Sequence, residues 1–217
     1  MTASERRKRI KDELRMKILA TARDLFATYG YDGVTLRGIA AAIEYAPGTI
    51  YSHFKDKDAL IEALCLADFA AFEMNFPRGY LPDDPLEAIR EIGTAYIRFA
   101  LTHPNHYRLM FMTPRPIESP AELIESQSDP ARSGYALLKQ TAERALSADL
   151  FRDELHDLDL IVQTMWAGVH GMASLEIAKG ADRRIPWAPI HARAKTMIDA
   201  MFQGLARVQA DGKAKSQ

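Results

Sequence analysis

Thr35-Leu36-Arg37-Gly38-Ile39-Ala40-Ala41-Ala42-Ile43-Glu44-Tyr45-Ala46-Pro47-Gly48-Thr49-Ile50-Tyr51-Ser52-His53-Phe54 is the stretch on which the fold turns. Leu36, Ile39, Ala40 and Ile43 recur at helical spacing, and Thr35 is a good cap for the helix they form. Glu44-Tyr45-Ala46 makes a tight turn. Pro47 suits the first position of a second short helix, where its missing N–H would be unpaired anyway. Ile50, Tyr51 and Phe54 belong to that helix. Two short helices joined by a three-residue turn predict a helix-turn-helix.

The pattern on both sides is helical as well. Leu14, Ile18, Leu25, Phe26 and Tyr29 share one face of a helix expected from Asp12 to Tyr29, which Gly30 ends. Asp56 is placed to cap a fourth helix that reaches about Asn75. Residues 76–85 contain Pro77, Gly79, Pro82 and Pro85 and break the pattern, as does Thr113-Pro114-Arg115-Pro116. Further helices are expected over Leu86–His103, with Ile89, Ile92, Tyr96 and Phe99 inward, and near Tyr107–Met112. Three more are expected over Ala131–Ala148, Leu155–Lys179 and Ile190–Val208. Gly180 to Trp187 is a link, and Asp211–Gln217 a polar tail. No period-two stretch argues for a strand, so the expected class is all-α.

Composition narrows the function. The chain has 217 residues, of which 47% are hydrophobic, enough for a substantial core. A single cysteine, Cys65, permits no internal disulfide. No apolar run reaches the ~18 residues of a membrane span. The basic start is not followed by the apolar stretch of a signal peptide. The expectation is a cytoplasmic protein with no membrane partner. Net charge is only −1, but residues 1–60 hold 11 Lys/Arg against 8 Asp/Glu, and the rest hold 17 against 21. Five of the basic residues, Arg6, Arg7, Lys8, Arg9 and Lys11, crowd the tip. Alone they would read as a solvated, frayed end.

A longer string carries a family resemblance: Ala22, Leu25-Phe26-Ala27-Thr28-Tyr29-Gly30-Tyr31, Val34-Thr35-Leu36-Arg37-Gly38-Ile39-Ala40, then Gly48-Thr49-Ile50-Tyr51-Ser52-His53-Phe54-Lys55-Asp56-Lys57-Asp58-Ala59-Leu60. Over about 45 positions it resembles the DNA-binding domain of TetR-type regulators. The resemblance implies a DNA-binding domain over residues 1–56, with the basic tip as its arm, and a ligand-binding and dimerisation domain over 57–217. It also implies a homodimer on a palindromic double-stranded operator, a repressor released by a small hydrophobic effector, and neither enzyme activity nor a cofactor.

The implied DNA-binding residues are Thr35, Arg37, Tyr45, Ala46, Pro47, Gly48, Thr49, Tyr51, His53 and Lys57. Gly48 lets backbone approach the bases, and Thr49 offers a hydroxyl or a methyl to a base edge. Tyr51 and His53 suit phosphates, and Thr35 opens a helix whose free N–H groups suit one too. Lys57 sits against the dipole of the fourth helix, which suggests an anion in front of it. The turn departs from the family pattern. Glu44 stands where glycine is usual, so its backbone must be left-handed or the turn must differ. Ala46 replaces a capping residue, and Tyr45 a smaller apolar one.

Beyond Asn75 two segments remain suggestive. Trp166-Ala167-Gly168-Val169-His170-Gly171 is similar to a Trp-x-x-x-His-Gly subclass of the family's C-terminal domains. His103-Pro104-Asn105-His106-Tyr107-Arg108-Leu109-Met110-Phe111 looks like their central helices. Tyr96, Phe99, His103, Tyr107, Met110, Phe111, Trp166 and His170 are the candidate effector-binding residues, with Phe72 nearby in character; each alone also reads as core. Gly168, Gly171, Met172, Leu175, Met197, Met201 and Leu205 are candidates for a dimer interface built as a four-helix bundle. The alternative is that both helices cover their own core. His103 and His106 lack the further ligands that zinc needs, so no metal site is expected. The C-terminal dipole of the preceding helix is the simpler account of His103. An enzyme is the main rival class, but no Gly-x-Ser-x-Gly, P-loop, dinucleotide or His-Glu-x-x-His motif occurs. An architectural DNA-binding protein is the other rival and predicts a solid C-terminal core.

Overall fold

Why each helix starts where it does is written largely in its cap. The computed structural model describes residues 2–77, 79–112, 129 and 133–207. Among them the regular elements are all helices: α1 (Ala3–Tyr29), α2 (Leu36–Ala42), α3 (Pro47–Tyr51), α4 (Lys57–Glu73), α5 (Pro85–Thr102), α6 (Pro104–Tyr107), α7 (Gly134–Ser147), α8 (Leu158–Lys179) and α9 (Ile190–Leu205). One π-helical turn, Arg108–Met112, continues α6. Thr35, Asp56, Ser133 and Asp157 each accept a backbone N–H at the start of α2, α4, α7 and α8. Asp157 explains why α8 begins at Leu158 and not at Leu155. The expected loop at 113–116, the first residues of the helix expected from Ala131, the end of the last helix at Val208 and the tail at 211–217 lie outside the described residues.

Two compact units form, and they do not follow chain order: α1–α4 join α6 and its π turn, whereas α5 joins α7–α9. In the first unit, Ile18, Leu19, Ala22 and Phe26 of α1 pack with Ile39, Ala40, Ile50 and Phe54 of the helix pair. Leu60, Ile61 and Leu64 of α4 and Leu109 of the π turn complete that core. Tyr29, expected on the buried face, is 63% exposed. It follows Phe26 by three positions, and the chain leaves the helix at Gly30, whose φ of 71° an L side chain would resist.

The largest departure from expectation is the N-terminus. α1 begins at Ala3, not at Asp12, so the basic tip is helix. Thr2 and Glu5 form a reciprocal capping box, with Glu5 N–H donating to Thr2 Oγ1 at 3.2 Å and Thr2 N–H to Glu5 Oε2 at 2.7 Å. Arg9 and Glu13 add an i,i+4 pair. Lys, Arg and Glu are good helix formers, but a fully solvated helix has no apolar stripe to betray it.

In the second unit the inward residues of α5 are those expected, Ile89, Ile92, Tyr96 and Phe99. Ile161, Val162, Met165 and Val169 of α8 and Ala194, Ile198 and Phe202 of α9 complete the buried side. Gly93 of α5 makes the approach close: a Cβ there would lie 3.3 Å from Val169 Cγ1 and 3.9 Å from Ile198 Cδ1. Arg90 ties α5 to α9, with Nη1 2.6 Å from Asp199 Oδ1 and its guanidinium 4.2 Å over the Phe202 ring. Arg193 pairs with Glu176 and covers the Trp187 ring, holding the link between α8 and α9.

Candidate nucleic-acid interface

The turn of the helix pair is closed by Tyr45 N–H to Ala40 O at 2.9 Å and Glu44 N–H to Ala41 O at 3.1 Å. Glu44 has φ 63°, the left-handed backbone that its position demanded. Tyr45, Ala46, Pro47, Gly48 and Tyr51 are exposed, while Thr49 and His53 are half-buried beside them. Ile50 and Phe54 point into the core. A Cβ built on Gly48 meets nothing within 4 Å and its φ is not positive, so the free protein has no steric need for glycine there.

One flank of α3 opens into a groove of about 470 Å³ lined by Thr35, Leu36, Arg37, Tyr51, Lys55, Asp56 and Lys57 among others. It gathers four expected residues, Thr35, Arg37, Tyr51 and Lys57. It adds Lys55, which sequence reasoning missed although it stands beside the capping Asp56. Lys57 does not stand out in front of its helix as expected. Its Nζ donates to the Tyr31 carbonyl and lies 3.9 Å over the Tyr31 ring. A cation–π contact and a carbonyl thus offset its unfavourable place in the dipole of α4. Thr35 spends its Oγ1 as acceptor for Gly38 N–H at 3.0 Å.

On the other flank α1 braces the pair. The Arg15 guanidinium sits 4.5 Å over the Phe54 ring, and Lys17 Nζ lies 5.3 Å over Tyr45 and donates to Ile43 O at 3.3 Å. Burial first, then Lys11 and Arg15, hold the His53 imidazole below its ordinary pKa. Lys11 and Arg15 therefore place cationic charge beside His53, just past the end of α3. Arg15 and Lys17 carried no sequence signal beyond charge, because only the crossing of α1 over the pair brings them there.

The eight candidate effector-binding residues fall into two groups. His103, Tyr107, Met110 and Phe111 belong to the first unit. Tyr107 is fully buried, and Phe111 meets Phe69, Phe72 and Tyr107 at ring distances of 5.8, 5.6 and 4.9 Å. His103 is exposed, and its pKa is lowered by burial of the ring, then by His106 and Arg23.

Tyr96, Phe99, Trp166 and His170 belong to the second unit. Trp166 Nε1–H donates to Tyr96 Oη at 3.2 Å, and Tyr96 Oη stands 3.3 Å from His170 Nδ1. Tyr96 Oη thus stands between the Trp166 indole and the His170 imidazole, and the direction of its contact with Nδ1 follows the tautomer of the ring. Burial holds the pKa of this imidazole below its ordinary value.

Of the interface candidates, Gly168 is used within the chain. A Cβ there would fall 2.2 Å from Met201 Sδ and 3.2 Å from Met197 Sδ. At this point the alternative reading, a helix pair covering its own core, holds. Gly171 has nothing within 4 Å of a built Cβ, and Leu175 is exposed. Met172, Met197, Met201 and Leu205 are half-buried.

An all-helical chain that lifts a short helix out on a basic, braced scaffold is of the helix-turn-helix class. Residues 18–64 match the model of bacterial regulatory proteins of the tetR family, and residues 89–209 match the tetracyclin repressor-like C-terminal domain. The chain belongs to the TetR family. It is 50% identical over 54 residues to the HTH-type transcriptional repressor Rv1474c of Mycobacterium tuberculosis, which is 25% of this chain and 29% of that one. It is 39% identical over 54 residues to the HTH-type transcriptional regulator UidR of Escherichia coli K12, 25% of this chain and 28% of that one. The chain thus spans less than a third of the length of the curated relatives it matches. A TetR family transcription regulator from Marinobacter aquaeolei VT8 shares the fold with a TM-score of 0.71 at 16% identity, over 93% of this chain and 100% of that one. A protein of unknown function from Rhodococcus sp. RHA1 gives 0.69 at 24% identity, over 89% and 96%. No helix among the described residues is long and apolar enough to cross a membrane.

Proposed function

We propose that this protein is a DNA-binding transcriptional repressor that acts in the cytoplasm as a homodimer on a palindromic operator and releases it when a small hydrophobic effector binds. The observation that carries the reading is Gly48. It lies exposed on a helix flanked by two cationic surfaces, and neither packing nor backbone conformation in the free chain requires glycine there. A surface that must admit another molecule's edges supplies that requirement. Thr49, Tyr45, Ala46 and Pro47 then face bases. Arg37, Tyr51, Lys55 and Thr35 on one flank, and Lys11, Arg15 and His53 on the other, face phosphates. Lys57 contributes by holding the loop at Tyr31 as well as by charge.

Residues 1–56 carry the DNA-contacting groups, and 57–217 carry effector binding and dimerisation. Two of the relatives it matches are a transcriptional repressor and a transcriptional regulator, in keeping with a DNA-binding role. The Tyr96–Trp166–His170 cluster gives an effector one flat apolar wall and one polar edge. The outward Gly171 and Leu175 suit a second copy.

The test is selection of bound duplexes from a random-sequence DNA library. A two-fold sequence whose half-sites lie one helical turn apart, roughly 34–36 Å, is the expected product, with affinity falling steeply with salt. Binding without sequence preference would favour an architectural role. Failure to bind any duplex would overturn the reading. For the effector, release of the selected duplex by library compounds is compared between the unaltered protein, Tyr107→Ala and His170→Ala. Equal release from all three would exclude these residues from the sensing site.

A further inference from the structure

Asp68 of α4 has no exposed surface and is the one charged residue among the described residues that is fully buried. Two basic side chains converge on a single one of its oxygens. Arg23 of α1 donates to Oδ1 from Nε at 2.8 Å and from Nη2 at 2.6 Å. His106 of α6 places Nδ1 3.2 Å from the same Oδ1. Among the described residues, Oδ2 has no hydrogen-bond partner. A second tie runs beside the first: Asn105 Nδ2–H donates to Asp24 Oδ1 at 3.0 Å, and Arg108 Nη1–H donates to Asn105 Oδ1 at 3.3 Å.

α1, α4 and α6 thus meet at one carboxylate. A buried carboxylate needs compensation, and Arg23 supplies one full charge at every accessible pH. Whether His106 adds a second depends on its proton. The charged groups around it are Asp68 and Arg23 in front, Asp24 and Arg108 to the side, and His103 at a ring distance of 5.2 Å. Arg23 lies two turns along α1 from Arg15 and Lys17, the residues that brace the recognition pair at both of its ends. A helix transmits tilt rigidly over that length, about 10 Å.

We propose that Asp68 is a positioning residue for DNA reading: through His106 it draws α6 onto α1, and so sets the tilt of the helix that braces the recognition pair, more firmly when His106 carries a proton. The proposal rests on the DNA-reading role argued above and adds to it a named control point inside the first unit. It also assigns a role to a buried charge that DNA contact leaves unused.

The test compares the unaltered protein with His106→Gln, which is never charged, and His106→Arg, which always is. Affinity for the selected duplex is measured from about pH 6 to about pH 8, where histidine changes charge. His53→Gln serves as the background variant, because His53 faces DNA and titrates with it. Amide hydrogen exchange over residues 104–112 is followed in parallel without DNA.

Expected are a several-fold gain of affinity toward the acid end in the unaltered protein and a clearly smaller gain in His106→Gln. The two should agree near pH 8, and His106→Arg should hold the high affinity throughout. Exchange over 104–112 should slow toward acid in the unaltered protein and not in His106→Gln. Parallel profiles for the unaltered protein and His106→Gln in both measurements would overturn the proposal. Altered exchange with unaltered DNA affinity would overturn the positioning role. Absence of DNA binding at both ends of the range would strike the DNA-reading role itself, and exchange would still report whether His106 docks α6.

Discussion

Glu44 holds a backbone conformation in which an L side chain costs about 1 kcal/mol relative to glycine. Glu44→Gly should therefore raise stability by that order, read as an increase in the midpoint of denaturant unfolding, provided the glycine's extra unfolded-state freedom does not offset it fully. Under the proposed function, Thr49 and Tyr51 make two different kinds of DNA contact. Thr49→Ala should change the selected base sequence, whereas Lys55→Ala and Tyr51→Phe should weaken all sequences alike, with a lower salt slope for Lys55→Ala. Lys57→Ala should lower the melting temperature as well as the affinity, because its ammonium is spent on Tyr31. His170 supplies the pH argument. Its folded-state pKa lies below its unfolded value, so the unfolded chain takes up the proton first as pH falls. The stability contribution is present above the ordinary imidazole value, about 6.5, and is lost as pH falls through it. Melting temperatures should drop more steeply toward acid for the unaltered protein than for His170→Gln.

At the scale of an element, α1 is the unexpected one. Its first turns carry Arg6, Arg7, Lys8, Arg9 and Lys11 with hardly a buried atom, and the side-chain contacts that support them are the capping box and the Arg9–Glu13 pair. Replacing Thr2 by Ala together with Glu5 by Ala removes both reciprocal bonds. The expected cost is about 1 kcal/mol of local helix stability. Circular dichroism should show a loss of helix, and DNA affinity should become less dependent on salt, while the melting temperature of the core hardly moves. An unchanged salt slope would mean that these basic residues reach DNA equally well from an unfolded arm. α3 is the opposite case: five residues are too few to persist alone, so Ile50 and Phe54 hold it against α1 and α4.

At the scale of the whole molecule, the proposed homodimer can be tested. Gly168 and Gly171 stand three positions apart on α8 but have different neighbours. Gly168→Leu should unsettle the chain itself through overpacking against Met201, by about 1–3 kcal/mol, seen as a lower melting temperature. Gly171→Leu should leave the fold of each chain intact and shift sedimentation toward the monomer. A monomer in the unaltered protein at micromolar concentration would count against the dimer altogether. Effector control asks little of the molecule energetically. A tenfold loss of operator affinity requires only ~1.4 kcal/mol of preference for the non-binding state.

The sequence by itself determined whatever depends on neighbours along the chain. Thr35, Pro47 and Asp56 announced the starts of their helices, the 3.6-residue period placed Ile39, Ile50, Ile92 and Phe99 inward, and Glu44 announced a left-handed turn. Caps, period and backbone sterics act within a few residues, so they are legible without tertiary contacts. The tertiary structure alone decided which helices share a core, and it placed α6 with α1–α4 and α5 with α7–α9. It brought Arg15 onto Phe54, drew Lys57 back to Tyr31, spent Gly168 on Met201, and set Arg23, Asp68 and His106 around one oxygen although 45 positions separate the first two. Each of these is a contact between helices remote in sequence. Composition and period say that such a side chain is charged or small, but only the packing of whole helices says what it will meet.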